Sequence, residues 1–421
     1  MSEDFNLRSS VYWRRLGWGL FVGLICGIGA FIFLALMNLG INLVWPNPPG
    51  WQPFSGSWTI VLIMTVFGFV IGLIRRYTPA AQLDVFEAVD TGRLEPGPVP
   101  SSLLVSLLSL IGGFSLGPEV PSGMLAAGFG TWISDRRKLD IETTRTNVLG
   151  GVSAAYAGLF SSPFALLMMI LESTHMQTAV YYGTLLITGL AAALGFSLFY
   201  WAGGDTFSSL LGLVQPPTYD LRVWDIGLGI VFGILSVPVA VIFLLMAKIL
   251  GGIVAPLNSR PVIRGTVGGL LLGLLGMALP ITLFLGTEGL QTTTSEAAEI
   301  GVALLIVFVL AKMLALSGAL SFGFIGGPIF PLLFVGATLG SALNLAIPEI
   351  PVALAVGCFM VAVPAAIVPI PLAIAILGIL IVGLSPTNGL PVIMAALTSF
   401  AVARGLGLFA GAQKKQTEAT A

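Results

Sequence analysis

Charge is scarce in this chain of 421 residues. Lys and Arg number 18 and Asp and Glu 19, together 9% of the sequence, against 56% hydrophobic residues. A soluble fold of this length has too little interior to hide so much apolar surface. With a mean hydropathy of +1.01, the sequence reads as an all-α polytopic membrane protein embedded in a lipid bilayer. His175 is the single histidine, which excludes a multi-histidine metal site and leaves little material for a Ser-His hydrolase. The two cysteines, Cys26 and Cys358, lie in separate apolar runs and read as small core residues rather than a disulfide or metal pair. No basic patch is interleaved with aromatics, so nucleic acid is not an expected partner. No metal, cofactor or enzymatic activity is expected.

What is there is a series of apolar runs. Residues 1–15 form a polar N-terminal segment in which Arg8, Arg14 and Arg15 flank the first run, and no removable signal peptide is read. Residues 16–44 are long enough to span a bilayer with tilt. Residues 59–74 return and stop at Arg75-Arg76, and a later run closes on Arg136-Arg137-Lys138. The positive-inside rule puts these clusters and the N-terminus on the cytoplasmic side, and the expected location is the plasma (inner) membrane. Residues 77–100 are polar, with Asp84 and Glu87 expected at an interface. Lys312, alone in an apolar run, reads as a side chain snorkelling to an interface. The expected division is a first membrane repeat over 16–205, a linker over 206–223, a second repeat over 224–408 and a polar tail over 409–421.

The repeat rests on two matches. Gly117-Pro118-Glu119-Val120-Pro121 and Gly327-Pro328-Ile329-Phe330-Pro331 share Gly-Pro-x-x-Pro at an offset of 210 residues. Ser162-Pro163-Phe164-Ala165 and Ile370-Pro371-Leu372-Ala373 match at an offset of 208. Breaks at corresponding positions of two halves point to a site at their interface, near the midplane. Glu119 is the one carboxylate inside such a break. A charge at that depth costs about 2.5–3.5 kcal/mol or more and is rarely idle. The prolines end one helix and start another, and a helix N-terminus holds a carboxylate or, in its place, a mobile anion. The plainer reading of Glu119 is a cap on its own helix.

The stretch around Glu119 resembles the G-[KR]-E-G-P motif of the CLC family of chloride channels and proton-coupled chloride antiporters. Residues 144–172 look like the family's Gly/Ala-rich helix running into a short Ala-Pro-Leu helix with acidic residues at its end. Gly327 to Pro331 resembles G-x-F-x-P, followed by Gly336 and Gly340, and residues 363–383 resemble a second Ala-Pro-Leu segment. The resemblance implies two inverted-topology repeats of tilted and broken helices, and a homodimer with one pore per subunit. It implies a gating role for Glu119. Gly117, Val120, Gly327, Ile329 and Phe330 would supply the anion site, largely through backbone N–H groups.

Departures from the pattern are specific. Residues 78–84 lack the serine of the family's first anion motif, and no tyrosine stands near 408–412. Pro118 and Pro328 each delete a backbone donor. Ser173 aligns with the inner proton-relay glutamate of antiporters. Glu172 is one position early, about 100° away on a helix. Three functions follow as expectations. The first is channel-like or weakly proton-coupled transport of chloride or a similar small anion. The second is proton-coupled antiport through Glu119 and Glu172. The third is a degenerate, non-transporting membrane scaffold.

Overall fold

The computed structural model describes residues 10–173, 178–203 and 210–408. His175, the tail 409–421 and most of the segment expected to hold a pore tyrosine lie outside the described residues. Among the described residues, regular structure is helical, and seven helices are long and apolar enough to cross a membrane. The first half runs α1 (Ser10–Val44), α2 (Trp58–Tyr77), α3 (Val85–Thr91), α4 (Val99–Ile111), α5 (Glu119–Arg137), α6 (Ile141–Leu159), α7 (Pro163–Ser173) and α8 (Thr178–Gly203). The second runs α9 (Val223–Val254), α10 (Pro261–Ala278), α11 (Thr287–Ser295), α12 (Ala297–Ile300), α13 (Val302–Phe322), α14 (Ile329–Ala346), α15 (Val352–Ala365), α16 (Pro371–Val382) and α17 (Gly389–Gly405). Short helices such as α7, α15 and α16 survive at membrane depth because they are packed inside protein. Every residue of α15 but its first is buried.

The halves meet along a two-fold seam of inverted topology. Gly68 of α2 and Gly265 of α10 face each other so closely that a Cβ on either would lie 2.2 Å or 2.3 Å from the other's carbonyl oxygen. Small residues permit such backbone contact where lipid gives helices little hydrophobic reason to associate. Phe114 and Phe324, at equivalent places before the two Gly-Pro breaks, stack with ring centroids 3.7 Å apart. Helices α7 and α16 also pack on each other across the seam.

Local details correct the sequence reading. Helix α1 carries Arg14 and Arg15 as well as the apolar run from 16. They approach Asp140 at 3.9 Å and 3.5 Å, and Asp140 in turn caps α6 through the Thr143 N–H. The polar stretch 77–100 contains α3, and polar residues 291–299 carry parts of α11 and α12. Lys312 does not snorkel. It is fully buried, and its Nζ donates to the carbonyls of Thr282, Leu283 and Phe284 at 3.2, 3.0 and 2.9 Å. The carbonyls that end the turn after α10 take the Lys312 amine as their donor. Phe284 N–H reaches on to the Gly113 carbonyl, which ties this turn to the chain before Glu119. Lys312→Ala should strip the donor from all three carbonyls. At about 1–3 kcal/mol for a buried group left unpaired, the thermal midpoint in detergent should fall by several degrees. An unchanged midpoint would mean that the amine does not hold the turn.

Candidate functional site

Helix α5 starts at Glu119 and α14 at Ile329, each directly after its proline. Proline fits there because its missing N–H would be an orphan at a helix start in any case. The donor that Pro328 lacks is therefore not needed: the first N–H of α14 belongs to Ile329. Before the prolines, Gly117 and Gly327 exchange both backbone hydrogen bonds at 2.8 Å in an antiparallel bridge. This reciprocal pair locks the two breaks together and aims both helix starts at one place.

Glu119 fills that place. It is 2% exposed, and the Ile329 N–H donates to its Oε1 at 2.6 Å. Its Oε2 has no hydrogen-bond partner among the described residues. The carboxylate lies against the bare faces of the two glycines. A Cβ on Gly117 would fall 1.9 Å from Oε2, and one on Gly327 would fall 2.1 Å from Oε1. The first repeat thus supplies the charge and the second supplies the helix N-terminus that holds it. Phe330 is buried and stacks on Phe160 at 5.6 Å. Val120 is half-buried on the first turn of α5.

One residue that braces the site, Gln82, escaped the sequence reading. The Gln82 side chain pairs with the Gly326 backbone in both directions, its Nε2 donating to the carbonyl at 3.0 Å and its Oε1 accepting from the N–H at 3.3 Å. Gln82 therefore braces the break from the very segment in which a serine was sought. Asp84 caps α3, its Oδ1 accepting from the N–H groups of Phe86 and Glu87 at 3.0 and 3.1 Å. A polar residue in an irregular loop gives no periodic signal, and only the fold says what it reaches.

Glu172 repeats the arrangement of Glu119 at a second seam. Its two carboxylate oxygens accept from the N–H groups of Leu372 and Ala373, at 2.7 and 3.0 Å, at the start of α16. Again a first-repeat carboxylate caps a second-repeat helix. Both oxygens are engaged, unlike those of Glu119. Ser173, next to it, is buried, and its hydroxyl has no hydrogen-bond partner among the described residues.

Comparison with known proteins gives a consistent result. The chain is 28% identical over 348 residues to the "Putative ion-transport protein YfeO" of Salmonella paratyphi A, across 80% of this chain and 82% of that one. It is 28% identical over 312 residues to the Salmonella newport protein of the same name, across 72% and 74%. In fold it is similar to the crystal structure of a slow cyanobacterial Cl-/H+ antiporter, with a TM-score of 0.77 and 20% identity over 94% of this chain and 95% of that one. A CLC-type fluoride/proton antiporter superposes with a TM-score of 0.75 and 20% identity, over 93% and 97%. The family model for the voltage gated chloride channel matches residues 66–404. With that match spanning both helix breaks, the seam between them and the caps at Glu119 and Glu172, this chain belongs to the voltage-gated chloride channel (CLC) family.

Proposed function

We propose that the chain conducts chloride or a similar small anion across the membrane, with Glu119 as the gate, and that it does so with little or no stoichiometric proton coupling. The observation that carries this reading is the bond from the Ile329 N–H to a buried Glu119 carboxylate with a second, unpartnered oxygen. A carboxylate held by a helix N-terminus occupies the seat that a free anion would prefer. Partial charges bind weakly enough to release, which conduction requires. Gly117, Gly327, Ile329 and Phe330 would form that seat once the carboxylate leaves, with Val120 on the next turn. Anion efflux from liposomes containing the purified protein tests the reading, with chloride, fluoride and nitrate compared. Efflux no faster than from empty liposomes would favour a scaffold instead.

The low coupling rests on the second cap. Glu172 is committed to two N–H groups of α16, and a serine hydroxyl at Ser173 does not carry a proton as a carboxylate does. In liposomes with a chloride gradient and a pH electrode, chloride flux should therefore raise no sustained proton gradient. Uphill proton uptake driven by chloride alone, abolished in Glu172→Gln, would establish antiport and make Glu172 the inner proton acceptor.

A further inference from the structure

Helices α4 and α13 end in the same turn, 210 residues apart. The Gly113 N–H donates to the Leu110 carbonyl and that of Phe114 to Ser109, while the Gly323 N–H donates to Leu320 and that of Phe324 to Ala319. Gly113 and Gly323 take the same left-handed conformation, at φ of 85° and 90°. Such a helix end leaves carbonyls that need outside donors. At the end of α4 those donors are neutral. The Trp45 indole Nε1 donates to the Ile111 carbonyl at 2.8 Å, and the Phe284 N–H donates to the Gly113 carbonyl at 3.0 Å. Lys312, beside this turn, is committed to three other carbonyls. At the end of α13 both donors are guanidinium groups. Arg264 of α10 directs Nε and Nη2 to the Ser321 carbonyl, at 3.1 and 2.5 Å, and Arg75 of α2 directs Nη1 to the Gly323 carbonyl. The two side chains converge. A Cβ on Gly323 would lie 3.0 Å from Nη1 of Arg75 and 3.4 Å from the guanidinium carbon of Arg264.

Neutral groups cap the first turn, so capping alone does not call for two like charges side by side, which repel. Among the described residues neither arginine pairs with a carboxylate. Both are half-buried, and a guanidinium has more N–H donors than these carbonyls take. Helix α10 starts beside the end of α2, where a Cβ on Gly72 would lie 2.6 Å from the Pro261 carbonyl oxygen. Exposed Arg76 and Arg260 therefore add charge of the same sign at this end. From Gly323 the chain runs only four residues to Gly327, the glycine against which the Glu119 carboxylate lies. Four residues span about 14 Å at most. An anion drawn to the pair is thus one short step from the helix start at Ile329, and this nearness favours the conducted ion over a lipid phosphate. We propose that Arg75 and Arg264 form a recruitment site that concentrates the permeant anion at this mouth before it enters the seat contested by Glu119. This role rests on the chain conducting anions.

The test is the half-saturating chloride concentration. Tracer chloride uptake is measured in liposomes of neutral lipid, with chloride equal on both sides and ionic strength held low with gluconate. Arg75→Gln and Arg264→Gln each keep an N–H donor for the carbonyl and lose the charge. Together they should raise the half-saturating concentration about tenfold, the lower end of electrostatic focusing, and leave the maximal rate within about twofold. Arg75→Lys with Arg264→Lys keeps both charges and should restore the wild-type value. Raising the ionic strength should shrink the difference between wild type and the Gln variant. An unchanged half-saturating concentration beside a conducting wild type overturns the site and leaves the arginines as caps. A fall in maximal rate alone, not rescued by Lys, also overturns it and places their role in holding the turn. A difference seen only when anionic lipid is added to the liposomes overturns it in favour of a lipid phosphate. Wild-type uptake no faster than that of empty liposomes removes conduction itself, and recruitment falls with it.

Discussion

Replacing Glu119 by Gln should raise anion efflux and flatten its dependence on pH, and replacing it by Ala should raise efflux further. In the folded protein the carboxylate is held by the Ile329 N–H at 2.6 Å. A hydrogen bond to an ionised group contributes about 1.5–3 kcal/mol, so losing it shifts a closed–open balance by roughly ten- to a hundredfold. Gln keeps the size and an acceptor oxygen but not the charge, so it competes for the helix N-terminus only weakly. Ala removes the competitor outright. The sign of the pH effect follows from the same contact. Acid neutralises the carboxylate and weakens its hold on the N–H dipoles, so wild-type efflux should rise as pH falls. Neither variant has a carboxylate to neutralise, and both should be near their maximum across the range. Efflux from liposomes at stepped pH checks all three proteins. If the wild type conducts and the three share one rate and one pH profile, Glu119 is a helix cap and not a gate.

What could be read from the sequence was what a membrane makes local. The Gly-Pro breaks at Gly117 and Gly327 were visible because proline and glycine interrupt helices whatever surrounds them. Their offset of 210 residues then brought Glu119 and Ile329 together before any coordinates did. The buried free cysteines were legible in the same way, from the runs around them. Contacts to backbone were not. Leu372 and Ala373 look like any apolar helix start, and nothing in their side chains says that their N–H groups take Glu172. Lys312 carried a clear signal, a lone charge in an apolar run. The wrong resolution was chosen because its acceptors are main-chain carbonyls some thirty residues away. Gln82 falls in the same class, because its partner, the Gly326 backbone, is supplied only by the folding of the seam.

Gly327→Ala should open the path almost as fully as Glu119→Ala, and the two should not add. The nearest atoms to a Cβ at Gly327 all belong to Glu119, with Cδ and Oε1 at 2.1 Å. Backbone conformation is no obstacle, since Gly327 is not among the residues of positive φ. The methyl can be accommodated only if the carboxylate gives way, because the reciprocal bridge of Gly327 with Gly117 holds the backbone in place. Glu119 would leave the Ile329 N–H, and efflux at neutral pH should rise by roughly ten- to a hundredfold, the worth of that bond. Gly117→Ala presses on Oε2 at 1.9 Å and should act in the same direction. In the Glu119→Ala background the three atoms nearest that methyl are gone, so if its only effect is to displace the carboxylate, adding Gly327→Ala should leave the rate within about twofold, as for sites whose coupling runs through one removed group. The double-mutant cycle separates this from damage to the fold. A drop in efflux for Gly327→Ala that persists without Glu119 would mean that the glycine serves the backbone bridge itself, or the anion's own seat, rather than making room for the carboxylate.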